Sequence, residues 1–85
     1  MNIVLETGTR LAPAIKMYEA TYKVVELVGT SPVSFAEATR AAIAQASKTI
    51  RHMDWFEVVQ ERGRIVDGNV EEFQVALKIG FKIER

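Results

Sequence analysis

The sequence predicts an α+β domain of order β-α-β-β, with a three-stranded antiparallel sheet packed on one helix. Three features point to it. "TYKVVELVGT" and the stretch from Asn69 to Ile83 alternate with the period of strands. The stretch from Phe35 to about His52 is rich in alanine and contains neither glycine nor proline. Asp67-Gly68 is a two-residue hairpin signal between two strand-like runs.

Taken in order, residues 1–20 form a weakly patterned leader broken by Gly8 and Pro13. The first strand puts Lys23, Val25 and Leu27 on one face and Tyr22, Val24, Glu26 and Val28 on the other, and Gly29 is expected to end it. "SPVS" is a loop leading into a capping box, with Ser34 as N-cap and Glu37 three positions on. Phe35, Ala38, Ala42, Ile43, Ala46 and Ile50 then recur at helical spacing. Arg51 and His52 are expected in the last helical turn, where cations suit the negative end of the dipole. The second strand runs from Trp55 to Val66. The third runs from Asn69 to Ile83, with Phe73, Val75, Leu77, Ile79, Phe81 and Ile83 of one parity.

The totals restrict function. A chain of 85 residues makes one domain, and a domain this small buries only about 60% of its unfolded surface. With no cysteine and a single histidine, disulfides, thiolate metal sites and histidine clusters are excluded, which leaves self-association as the support. Eleven basic and eleven acidic residues cancel, so no net field favours nucleic acid or an anionic membrane. No apolar run approaches the roughly 20 residues a bilayer requires, and the N-terminus does not read as a signal peptide. A soluble, cytoplasmic protein is expected. No nucleophile–base pair at motif spacing and no Gly-rich phosphate loop is present, so an enzyme is not expected.

The chain's only tryptophan, Trp55, shares strand parity with Glu57 and Glu61, whereas Phe56 and Val58 take the other face. If Asp67-Gly68 is the whole turn, Phe56 faces Ile79, Val58 faces Leu77 and Glu57 faces Lys78, so Phe56 and Val58 are expected to hold the helix. Trp55 then faces Gly80, where the glycine leaves a clearing for something planar. A bulge near Gly63 would break this register. The third strand should extend roughly 45 to 50 Å and the helix only about 27 Å, so one helix cannot cover the hairpin. The other face also mixes Tyr22, Val24, Val28, Trp55, Val59 and Ala76 among its charges. Neighbouring subunits are therefore expected to complete the sheet.

"YKVVELVGTS", "ASKTIRHMDWFEVVQERG" and "FQVALKIGFKIE" together resemble the dodecin family of small flavin-binding proteins, from about Tyr22 to Glu84. The resemblance implies a hollow dodecamer of β-α-β-β subunits holding flavins in pairs, with FMN, riboflavin or FAD as ligand. It implies that Trp55 stacks on the isoalloxazine, that Gln74 hydrogen-bonds the ring's polar edge, and that Arg62 lies near the ligand or helps hold the assembly. Six residues separate Gln74 from Gly80, roughly 20 Å along a strand, so Trp55 and Gln74 at one flavin are expected to come from different chains. Arg51, Lys48, Arg64 and Lys82 are phosphate candidates by charge alone.

The function implied is flavin storage and buffering. A flavin-free shell, a binder of another ligand such as coenzyme A, and a small flavin-dependent redox catalyst are the alternatives. Residues 21–85 are the dodecin-like domain, and residues 1–20 are an extension with no counterpart in the family pattern. That extension stems from an upstream start codon or vector sequence, or else decorates the shell. A chain starting at Met17 is expected to assemble all the same; loss of the large oligomer on gel filtration refutes this.

Overall fold

The computed structural model describes residues 19–83. The leader's breakers Gly8 and Pro13, and Met17, lie outside the described residues. Strand β1 (Tyr22–Ser31), helix α1 (Phe35–Ala46), strand β2 (Met53–Val66) and strand β3 (Asn69–Lys82) follow in β-α-β-β order. The sheet is antiparallel with β3 in the centre, in the order β1-β3-β2. Val75, Leu77 and Ile79 of β3 are buried against Ala38, Ala42 and Ala46 of α1. Alternation in β3 and helical spacing in α1 thus meet in one core.

Ser34 caps the helix as expected, its hydroxyl accepting from the Glu37 N–H at 3.0 Å. The helix is shorter than the sequence suggests. It ends at Ala46, where Ser47 closes the last turn and the Ile50 N–H donates to the Ala46 carbonyl at 2.9 Å. Arg51 and His52 therefore lie beyond α1, and no basic residue occupies its last turn. Polar Ser47 and β-branched Thr49 offer little propagation, while Ile50 folds back onto the core. His52 takes a left-handed conformation at φ 63°, and its carbonyl accepts from the Lys82 N–H at 3.1 Å, docking the connection onto β3.

Gly29 does not end β1. It lies within the strand, where a Cβ would overlap the Ala38 carbonyl oxygen and the Ala42 methyl. Its missing side chain lets α1 settle directly on β1, and alanines on the facing helix stripe make the same close approach possible. Ser31, buried at the strand end, accepts from the Val33 N–H at 2.9 Å and turns the chain into the loop.

Asp67 and Gly68 form the hairpin turn, both at positive φ (51° and 77°), and Val66 pairs with Asn69 as expected. Trp55 opposite Gly80, Phe56 opposite Ile79, Glu57 opposite Lys78 and Val58 opposite Leu77 also hold. They hold because two irregularities cancel. Glu71 is an extra residue on β3 and Val59 an extra residue on β2, and between them the pairing is displaced by one. Within that window Gln60, Arg62 and Arg64 pair with Ala76, Gln74 and Glu72, while Glu61 moves to the face of buried Val75. Glu61 thus does not share a face with Trp55, and Val59 has no partner in the ladder.

Phe56 and Val58 do not hold the helix. Helix α1 lies over β1 and β3, leaving Phe56 50% and Val58 42% exposed on the side where the core should continue. At 12 residues α1 spans about 18 Å, against about 46 Å for each 14-residue hairpin strand.

Because an added methyl at position 29 meets backbone, Gly29→Ala is expected to destabilise the fold by about 1–3 kcal/mol. Urea denaturation at matched protein concentration checks it.

Candidate functional site

Trp55 reaches its position through a third irregularity. Asp54 is an extra residue of β2, lying between the Met53–Phe81 and Trp55–Gly80 pairs. The bulge turns its carboxylate to the same face as Tyr22, and the Tyr22 hydroxyl donates to Asp54 Oδ2 at 2.9 Å across the central strand. That bond, followed by partial desolvation and the carboxylate's charge, raises the Tyr22 hydroxyl above the usual tyrosine pKa. The bond is therefore intact at neutral pH and is lost as pH rises through the raised value.

Gly80 does not leave a clearing for a ligand. The indole itself fills that space: a Cβ built on Gly80 would overlap Cδ2, Cε2 and Cζ2, atoms in or next to the ring fusion. Trp55 thus lies face-down on the backbone of β3. Trp55 is nevertheless 44% exposed. A recess of about 180 Å³ lies beside it, walled by Ile43, Met53, Phe56 and Ile79. A rigid aromatic face held in this way favours a flat aromatic partner.

Arg62 and Gln74 form a second locus. The displaced window sets them directly opposite, and Arg62 Nε donates to Gln74 Oε1 at 2.9 Å. Strict alternation from Trp55 would put Arg62 on the helix face; the Val59 bulge brings it to the face of Trp55 and Gln74. Arg62 Nη1 also donates to Gln60 Oε1 at 2.8 Å, and Gln74 Nε2 donates to Glu72 Oε1 at 2.9 Å. Arg64 Nε stands 3.8 Å from the same Glu72 oxygen. Gln60 and Glu72 were not singled out from sequence. Their signal is the polar alternation of Gln60, Arg62 and Arg64 opposite Glu72 and Gln74.

The three candidate residues thus share one face but not one contact. Trp55 pairs with Gly80 and Arg62 with Gln74, so the two loci stand roughly 20 Å apart along β3. Among the phosphate candidates, Arg64 is engaged with Glu72, and Lys48 lies in the turn after α1. Arg51 and Lys82 line a recess of about 500 Å³ with Lys23 and Thr49. Among the described residues, no three His, Asp or Glu side chains gather as a metal ion would require. No helix among them is long and apolar enough to cross a membrane.

The family model described as Dodecin matches residues 21–84. The chain belongs to the dodecin family. A dodecin from Thermus thermophilus is 54% identical over 63 residues, covering 74% of this chain and 91% of that protein. The solved dodecin of Streptomyces coelicolor superposes with a TM-score of 0.78 at 52% identity, over 81% of this chain and 99% of that one. A more distant relative, described as a calcium dodecin, comes from Mycobacterium tuberculosis. It is 23% identical over 64 residues, covering 75% of this chain and 90% of the relative.

As the dodecin fold seats the indole on Gly80, Gly80→Ala is expected to push the ring off β3. The near-ultraviolet circular dichroism of this single-tryptophan chain should lose its Trp55 signal, while the far-ultraviolet spectrum stays. An unchanged aromatic signal overturns the packing described.

Proposed function

We propose that this chain self-associates into a homododecamer and stores flavin, FMN foremost, in stacked pairs between Trp55 side chains at subunit interfaces. One observation carries the reading: the indole is seated on Gly80, yet Trp55 stays 44% exposed. It stands beside Phe56, which α1 leaves half exposed. Uncovered Phe56 and Val58 on a 14-residue edge strand support assembly, since an apolar strand edge is a surface for another chain.

The side chains suit the ligand. Trp55 supplies a large, stiff stacking surface. Gln74 supplies a donor and an acceptor for the alternating carbonyl and N–H edge of the ring, and Arg62 holds Gln74 in place. The roughly 20 Å between the two loci supports Trp55 and Gln74 of one site coming from different chains. A bound flavin brings photochemistry and redox capacity, and Trp55 in stacking contact would quench the excited ring by electron transfer. The store is cytoplasmic and sequesters the ligand without turning it over.

Ligand-free protein is expected to quench FMN fluorescence strongly. Trp55→Ala should weaken binding by about tenfold or more, since aromatic stacking adds about 0.5–1.5 kcal/mol to the area it buries. Failure of the unmodified chain to quench FMN, FAD or riboflavin overturns the reading and leaves the flavin-free shell.

A further inference from the structure

We infer that Glu72, together with Arg62, is a positioning residue that locks the Gln74 carboxamide in one of its two orientations. Locked, the amide presents an acceptor and a donor to a ligand edge that carries an N–H beside a carbonyl. This deepens, and rests on, the reading that Gln74 receives the polar edge of a flavin.

An amide side chain is nearly symmetric in shape and opposite in polarity at its two ends, so its direction is set by its neighbours. Here both neighbours are of one kind only. A guanidinium donates and never accepts, and a carboxylate accepts and never donates. Arg62 Nε lies 2.9 Å from Oε1, and Glu72 Oε1 lies 2.9 Å from Nε2. Turning the amide over would oppose N–H to N–H and oxygen to oxygen, losing both bonds.

The two neighbours are themselves held. Arg62 Nη1 donates to Gln60 Oε1 at 2.8 Å, and Arg64 Nε stands 3.8 Å from the Glu72 carboxylate. The five side chains form a line of alternating donors and acceptors with Gln74 inside it. An amide has two lone pairs and two N–H groups, and the line uses one of each. One lone pair and one N–H remain, the pairing that an imide or lactam edge demands. The line exists because the extra residue Glu71 brings Arg62 opposite Gln74 and Arg64 opposite Glu72.

Comparing riboflavin with riboflavin methylated at its imide nitrogen tests the lock, because methylation removes the N–H and leaves the stacking face. Both are titrated by fluorescence quenching into the full chain, with oligomer size checked for every variant. The unmodified chain is expected to prefer riboflavin, and Gln74→Leu to bind the two alike. Glu72→Gln, whose amide both donates and accepts, should lower the preference about three- to tenfold, the worth of one hydrogen bond. Its affinity for the methylated ligand should be unchanged. If Glu72→Gln does not assemble, Arg62→Met releases the other end of the amide and is read in the same way. A Glu72→Gln chain that keeps the full preference, or that loses both ligands in parallel, overturns the lock. Absence of quenching by riboflavin in the unmodified chain instead refutes flavin binding, and the lock with it. Equal binding of both ligands by the unmodified chain refutes the role of the Gln74 edge alone.

Discussion

A helix of about 18 Å set against hairpin strands of about 46 Å is the constraint on which the rest of this structure depends. Helix α1 settles where it can come closest, over β1 and β3, with alanines against Gly29. What remains of the hairpin keeps its strand pairing but has no cover. Phe56 and Val58, inward-facing by parity, are left about half exposed, and β2 is exposed along nearly its whole length. A fold of this kind is half of a structural argument. Its polar and aromatic features make sense as parts of a surface still to be closed, and family membership agrees with that reading.

Bulges give the far face its chemistry. Without the extra residues Val59 and Glu71, Arg62 would stand opposite Phe73 on the helix side. Gln74 would then have no cation to orient it. The irregularity at Asp54 does the same at the strand's start, turning a carboxylate toward Tyr22 beside the indole. A strictly alternating β2 would keep its core partners and lose the far-face constellation. The two loci are thus linked to the core by one ladder whose defects are placed where side chains must change sides.

Much of this was legible in the residues. The turn at Asp67-Gly68 speaks through local backbone preference, and parity in β3 through burial of one face, so the elements and the Trp55–Gly80 pair follow from sequence. The Val59 and Glu71 bulges do not. They cancel across the hairpin, leaving its two ends in the register that a bulge-free ladder would have, and hydrophobic pattern alone sees only the ends. The helix end at Ala46 was masked for a related reason: Ile50 continues the apolar spacing although it reaches the core from a turn. Gly80 was read as space because a missing side chain does not say which neighbour fills it. The Arg62–Gln74 contact needed the displaced window, whereas the identities of both residues stood out from the family resemblance.

The indole that rests on Gly80 also limits stoichiometry. A tryptophan clasped between two rings could serve two ligands, but Trp55 spends one face on its own backbone. Trp55 therefore has one face left to offer, and under the proposed function a stacked pair of ligands would be assembled by symmetry, one ring contributed from each of two chains. Occupancy would then be capped at one ring per subunit. Half-filled pairs would leave one ring face against solvent, so the second ring of a pair would enter a better site than the first.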